Sequence, residues 1–99
     1  MQIEARNMHT FQGRSDNLLG ICDVRLGEHG EFAIKGVRIL DSEKGAFVSM
    51  PQYKDKDGKY QDIAHPTTKE GREQLNQAVL AEYEHVEQQM RQQAAGAER

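Results

Sequence analysis

Pro66 constrains the fold of this chain more than any other residue, because the sequence follows a different pattern on each side of it. A proline donates no backbone hydrogen bond and disfavours a helical conformation at the residue before it, here His65. Before Pro66, short apolar segments alternate with clusters of glycine and polar residues, whereas after it apolar residues recur at spacings of three and four. The pattern predicts strands that end before Pro66 and a helix that follows it.

The strand-forming part is divided by turn signals at residues 12–17, 27–31, 41–45 and 55–59. Turns at this spacing are typical of an antiparallel meander. The predicted strands cover residues 2–9, 18–26, 32–40, 46–53 and 60–64. In the segment 32–40 the apolar residues occupy even positions before Gly36 and odd positions after it. Because one inserted residue changes the face to which the following side chains point, we predict a β-bulge at Gly36.

A helix is predicted directly after Pro66. Thr67 and Glu70 have the spacing of a capping box, in which the threonine accepts from a first-turn amide and the glutamate reaches back. The apolar positions that follow form one stripe at helical spacing: Leu75, Val79, Tyr83, Val86 and Met90, flanked by Ala78 and Leu80. Beyond Met90 the sequence has little to bury, so residues 91–99 are predicted to be a frayed or disordered tail.

These elements predict an α+β fold, in which a small antiparallel β-sheet of four to five strands carries a C-terminal α-helix packed on one face. A chain of 99 residues can build one modest core, so residues 1–90 are predicted to be a single domain. Cys22 has no partner for a disulfide or a CxxC pair and is predicted to be a small buried hydrophobe. Since no apolar run reaches the length of a secretory signal or a membrane span, we expect a cytoplasmic protein without membrane contact.

The formal net charge of −3 sets a limit on any nucleic-acid hypothesis, because lysine and arginine supply most non-specific affinity for phosphates. Residues 1–66 carry nine Lys/Arg against ten Asp/Glu, and residues 67–99 carry four against six. Neither part is basic. A basic patch must therefore be built by folding or by dimerisation.

The run KDKDGKY at residues 54–60 concentrates three lysines around an Asp-Gly pair that suits a tight turn. Its composition alone fits a solvated loop tip. The functional alternative is a nucleic-acid contact, because the lysines supply charge and the flanking Tyr53 and Tyr60 supply stacking surface. Lys69 and Arg72, in the first helical turns, would enlarge this patch beside the positive end of the helix dipole.

Catalytic and metal-binding patterns are weak in this sequence. The four histidines show no HxxxH, HxH or Cys/His pairing, and there is no glycine-rich phosphate loop or nucleophile elbow. His65 is the only histidine in an apolar context, and Asp62, three residues before it, is its only local candidate for an acid partner. We therefore predict no enzymatic activity, no catalytic residue, no metal and no cofactor.

Several short motifs carry a resemblance to a known family. They are MP at 50–51, DG at 57–58, Tyr60, DIAHP at 62–66, AVL at 78–80 and EY at 82–83, preceded by VRIL at 37–40 and by Gly45, Phe47 and Val48. With these motifs the chain resembles the stage V sporulation protein G (SpoVG) family over about residues 32–86, with a weaker fit before that. The resemblance implies a small cytoplasmic bacterial protein with an antiparallel sheet and a C-terminal helix that forms homodimers. It also implies DNA or RNA binding and a role in the control of division septum formation and gene expression.

The resemblance further implies a set of contact residues. Of two positions that are usually basic in the family, Lys54 keeps the charge and Tyr53 does not, while Lys56 adds a cation where proline is frequent. Thr68 keeps a hydroxyl near the helix start, and Arg72 matches a basic position of the first helical turns. Together with the charge pattern, the candidate nucleic-acid contacts are Tyr53, Lys54, Lys56, Lys59, Thr68, Lys69 and Arg72. Since the first strands are nearly neutral here but rich in Arg and Lys in the family, we predict weaker binding.

Two functions of different classes are left open by the sequence. The first is a homodimeric regulator whose paired hairpin tips and helix starts contact the phosphates of DNA or RNA. The second is a protein-interaction module acting on division or regulatory proteins without direct nucleic-acid binding. Its docking face would be the polar side of the helix, with Glu73, Gln77, Glu84 and Gln88. An enzyme that uses His65 and Asp62 is the least favoured reading.

Overall fold

The structure, a computed structural model, describes residues 2–11 and 16–97, with side chains described up to Arg91. Its elements, in chain order, are β1 (Ile3–Thr10), β2 (Leu18–Leu26), β3 (Phe32–Leu40), β4 (Phe47–Ser49), β5 (Gln52–Lys54), β6 (Tyr60–Asp62) and α1 (Lys69–Ala97). The predicted α+β class is confirmed, since a sheet of four antiparallel strands is followed by one C-terminal helix.

Strands β1 to β4 lie side by side in chain order, and each pairs antiparallel with the next. Helix α1 packs on one face of this sheet, where alternate residues of the strands meet the apolar stripe of the helix. The buried core consists of Ala5, Cys22, Val24, Val37, Ile39, Met50, Leu75 and Val79. Fully burying a valine, leucine, isoleucine or methionine side chain contributes about 1.5–3 kcal/mol, and six of these eight residues are of those types.

The β-bulge predicted at Gly36 is confirmed. Val24 pairs with Ile34 and Cys22 pairs with Val37, so two residues of β3 lie opposite one residue of β2. Gly36 itself has φ +81°, a left-handed conformation that glycine adopts without steric cost. The bulge keeps Ile34 and Val37 on the helix side of the sheet despite their odd separation.

A second bulge lies on the other side of β2. Between Arg6, paired with Asp23, and His9, paired with Ile21, β1 also carries one extra residue. Asn7 has φ 55° there, and its side-chain amide donates to a carboxylate oxygen of Asp23 at 2.9 Å. Asparagine is one of the few residues other than glycine that visit this conformation, which is consistent with its place in the bulge.

The single strand predicted over residues 46–53 is wrong, because the chain forms two strands there. β4 pairs with β3 only over Arg38–Leu40, and β5 pairs with β6 in a separate two-stranded sheet. Pro51 lies at the break and has no N–H to contribute to a ladder. It also lies opposite the bulge, 3.9 Å from where a Cβ on Gly36 would stand. The ladder ends where these two irregularities meet.

Helix α1 begins one residue later than the capping box predicted. The hydroxyl of Thr68, and not that of Thr67, accepts the backbone N–H of Gly71 at 3.0 Å. Thr68 is therefore the N-cap. The third helical position, where a capping box has a glutamate, is then Gly71, so Glu70 does not complete the predicted box. The helical backbone continues to Ala97, past Met90. Fraying of residues 91–99 stays a prediction, and residues 98–99 lie outside the described residues.

Cys22 is buried in the core, as predicted. Burial, followed by the nearby negative charges of Asp23 and Glu82, raises the pKa of its thiol to about 11. Because the thiolate is the nucleophilic form, the folded chain keeps this sulfur unreactive at neutral pH.

Candidate nucleic-acid interface

Strands β5 and β6 form a hairpin whose two faces carry different side chains. The cross-strand pairs are Gln52 with Asp62, Tyr53 with Gln61, and Lys54 with Tyr60. Paired residues share a face, and neighbours along a strand point to opposite faces. Lys54 and Tyr60 thus lie on one face and Tyr53 on the other. The two tyrosines that flank the turn do not form one stacking surface.

Asp55 holds the turn of this hairpin. Its carboxylate accepts the backbone N–H groups of Asp57 and Lys59, each at 2.9 Å, and the side-chain amide of Gln61 at 3.2 Å. The hydrogen bond from Lys59 is the largest cause that lowers the pKa of Asp55. This role was not predicted from the sequence, although an aspartate at the start of a turn is a known signal for side-chain hydrogen bonding to the backbone two residues on. Asp55 fixes the backbone that carries Lys56 and Lys59.

The start of α1 and the base of the hairpin line one open groove. Arg72 and Asn76 of the helix face Gln52, Asp62 and the connecting residue His65 across a space of about 350 Å³. Gln52 donates to a carboxylate oxygen of Asp62 at 2.8 Å, so one oxygen of this carboxylate already accepts a hydrogen bond within the groove lining. The structure brings Arg72 to the base of the hairpin, while Lys56 and Lys59 lie further out, at its turn.

All the candidate contact residues are exposed: Tyr53, Lys54, Lys56, Lys59, Thr68, Lys69 and Arg72. We call these residues the hairpin–helix surface. Among the residues that the structure describes, the one ion pair joins Arg6 to Glu4 at 3.1 Å. The cations of the hairpin–helix surface therefore have no carboxylate partner in the described part of the chain, and their charge is available to an anion. The Thr68 hydroxyl is used as the helix cap.

Among the described residues, no hydrogen bond joins His65 to Asp62, the acid–base pair considered from the sequence. His65 Nδ1 lies 3.0 Å from the carbonyl oxygen of Pro66, and Asp62 is bonded by Gln52. Within residues 2–11 and 16–91, no three His, Cys, Asp or Glu side chains come together as metal ligands would. Among the described residues, α1 is too polar to span a membrane, and no other helix could do so.

A basic residue that sequence analysis left out lies beside the hairpin. Arg38 of β3 lines a groove of about 480 Å³ together with Gly36, Pro51, Gln52 and Tyr60. The signal was present in the alternation of β3, because Arg38 lies between the core residues Val37 and Ile39 and must point away from the helix. It was missed because a continuous strand over 46–53 would have left no groove beside it.

Comparison with known proteins identifies relatives of this chain. A family model described as SpoVG matches residues 1–85. Three relatives carry the name "Putative septation protein SpoVG", numbered 2 in the third case. The protein of Archaeoglobus fulgidus is 44% identical over 57 residues, which are 58% of this chain and 67% of its own length. The protein of Shouchella clausii is 37% identical over 84 residues, or 85% of this chain and 80% of its own length. That of Listeria monocytogenes is 41% identical over 66 residues, or 67% of this chain and 63% of its own length.

The matched stretch spans less than two thirds of several curated relatives, such as 63% of the Listeria monocytogenes protein and 61% of a further relative from Brevibacillus brevis. The family model nevertheless reaches the first residue of the chain, so the near-neutral N-terminal strands belong to the matched domain together with the hairpin and most of the helix. The chain belongs to the SpoVG family.

Proposed function

We propose that this protein is a homodimeric regulator that binds DNA or RNA through the hairpin–helix surface and performs no chemistry itself. The names of its relatives refer to septation, and we propose that this protein also acts in septation. The observation that carries the proposal is the exposure of five cations without carboxylate partners, in the described residues, around the hairpin and the helix start. Lysine and arginine in such a position gain affinity for phosphates by releasing counterions.

The dimer follows from the weakness of a single site. With a net charge of −3, one subunit offers few cations against a repulsive background. A two-fold axis would double the patch and match two positions on a nucleic acid. Surface for such an association exists on the sheet face away from α1, where Leu40 pairs with the exposed Phe47. Sedimentation equilibrium should give twice the chain mass of 11.2 kDa, and a monomer at micromolar concentration would refute this part.

Charge reversal tests the binding surface. The variant Lys54→Glu/Lys56→Glu should lose binding to a fluorescein-labelled 20-nucleotide strand in an anisotropy titration. The matched control, Lys44→Glu/Arg91→Glu, makes the same charge change at exposed residues outside the surface. It should bind nearly as the native protein does. Equal losses in both variants would show that net charge alone matters and would remove the site assignment.

A salt series on the native protein gives a second readout. The logarithm of the binding constant should fall linearly with the logarithm of salt concentration, by about 0.7 per engaged phosphate on a single strand and about 0.9 on a duplex. A slope near zero would contradict phosphate contact. A native protein that binds neither form at low salt would refute nucleic-acid binding altogether.

The second candidate function, a protein-interaction module, is favoured by one observation. Its four predicted docking residues on α1, namely Glu73, Gln77, Glu84 and Gln88, are all exposed. If this face binds a protein, Glu73→Lys/Glu84→Lys should abolish that complex and leave nucleic-acid binding intact or stronger. The result separates the two functions because the substituted residues lie outside the hairpin–helix surface.

A further inference from the structure

We propose that the groove between β3 and the β5–β6 hairpin, lined by Gly36, Arg38, Pro51, Gln52 and Tyr60, binds an unpaired nucleotide stacked on Tyr60. We call it the Arg38–Tyr60 groove. The inference rests on the proposed nucleic-acid binding and deepens it, because it names single-stranded nucleic acid as the preferred ligand and adds two contact residues to the site.

The groove exists because β5 leaves the sheet. Arg38 pairs with Ser49 of β4, but two residues further along β4–β5 the chain reaches Pro51, and the next residues pair with β6. The face of the hairpin that carries Tyr60 and Gln52 then forms one wall, and the outward side of β3 forms the other. Its volume of about 480 Å³ lies within the roughly 300–1,000 Å³ range of pockets that hold small ligands.

The walls supply both kinds of contact that a single strand needs. Tyr60 is 67% exposed and lines the groove, so its ring is accessible to a base. Arg38 has no hydrogen-bond or ion-pair partner among the described residues, so its five N–H donors are free to meet a phosphate or a base edge. Lys54 lies directly across the hairpin from Tyr60, on the same face, and adds a second cation.

The acidic groups around the groove keep their negative charge, but within the described residues they form no ion pair with these cations and are held by neutral donors. Asp62 lies on the same hairpin face as Lys54 and Tyr60, but it accepts the side-chain amide of Gln52. Asp55 is turned into the loop, where it accepts from Lys59 and Gln61. On the β3 wall the neighbour of Gly36 is the exposed cation Lys35.

The aromatic wall selects for unpaired bases. Within a duplex, each base is already stacked on its neighbours and its face is hidden, whereas the face of an unpaired base is open to an aromatic side chain. Exposed lysines alone would bind both forms through phosphates. Tyr60 beside two cations therefore favours a single strand over the same sequence in a duplex.

The test compares variants of the full chain on two probes, a labelled 20-nucleotide DNA strand of mixed sequence and the same strand annealed to its complement. Tyr60→Leu should weaken single-strand binding by at least about fivefold, because removing an aromatic ring on which a base stacks lowers the affinity by that factor or more. Duplex binding should be unchanged. Tyr60→Phe keeps the ring and should bind as the native protein does. Phe32→Leu removes another exposed aromatic ring, outside both surfaces, and serves as the matched control.

Arg38→Gln should weaken single-strand binding and reduce the magnitude of its salt slope by about 0.7, the loss of one phosphate contact. A strand that carries 5-iodouracil should crosslink to Tyr60 on irradiation, as read by mass spectrometry.

The proposal is overturned if Tyr60→Leu leaves single-strand binding unchanged, if it weakens both probes equally, or if Tyr53→Leu alone is defective. In each of these cases the native protein still binds, so the proposed function survives. If the native protein binds neither probe, the proposed function itself fails.

Discussion

The substitution Gly36→Ala tests whether the bulge in β3 is held in a left-handed conformation. Gly36 has φ +81°, a region in which a side chain costs about 1–2 kcal/mol. No steric term adds to this, because a Cβ at Gly36 would meet nothing nearer than Pro51 at 3.9 Å. Alanine also restricts the unfolded chain, which returns about 0.4–1 kcal/mol. The free energy of unfolding should therefore fall by about 1 kcal/mol.

Thermal unfolding followed by circular dichroism measures this effect. For a domain of this size, 1 kcal/mol corresponds to a fall in Tm of about 4–8 °C. Two further substitutions at the same position separate the effect of backbone conformation on stability from the effect of side-chain packing. Gly36→Asn should cost less than alanine, since Asn7 and Asn17 already hold φ of 55° and 63° in this chain. Gly36→Val should cost more, because a β-branched residue is a marked outlier there.

The prediction is the order of the stability losses at position 36: asparagine smallest, alanine intermediate and valine largest. If alanine and valine were as stable as glycine, the bulge would not be held at positive φ, and the parity change in β3 would need another explanation. If asparagine were the worst of the three, the space beside Pro51 would be smaller than the structure shows, and packing would dominate.

Two other predictions concern the helix start and the hairpin turn. Thr68→Ala should cost about 1 kcal/mol in urea denaturation because it removes the N-cap, whereas Thr67→Ala should cost close to nothing; equal costs would contradict the assigned cap. The carboxyl carbon of Asp55, followed by NMR against pH, should titrate with a pKa below the ordinary aspartate value of 3.8, because the ionised form accepts backbone hydrogen bonds. Its contribution to the turn is complete above that value and is lost as the pH falls through the lower pKa of the folded state, and a midpoint at or above 3.8 would refute the arrangement.

The sheet and the helix could be predicted because their signals are local. The alternation of Val37 and Ile39 after Gly36 fixed both the strand and its bulge, and the helical stripe through Leu75 and Val79 fixed the buried face of α1. The N-cap was misplaced by one residue because two adjacent threonines precede the helix and either could serve. Geometry decided for Thr68, whose hydroxyl reaches the N–H of Gly71.

The site was less accessible to sequence reasoning because it depends on contacts between distant segments. The lysines of the hairpin could be found from the run at 54–60, and Arg72 from its place after Pro66. That Tyr53 and Tyr60 lie on opposite faces depends on the register of β5 with β6, which the turn length sets and the composition does not show. Arg38 was hidden because its neighbour across the groove is Tyr60, far along the chain.

The one strand that was predicted wrongly is also the place where the groove forms. Had residues 46–53 continued along β3, they would have paired with its backbone opposite Gly36, and no separate hairpin wall would stand beside Arg38. Pro51 cannot donate to such a ladder, and the bulge at Gly36 removes the regular spacing on which the ladder depends. The pairing of β3 with β4 therefore ends at Arg38 and Ser49. Local rules fail most often where function sets the structure. The break at Pro51 separates the hairpin from the sheet and leaves Arg38 and Tyr60 facing the space between them, which is the arrangement that a bound nucleotide would require.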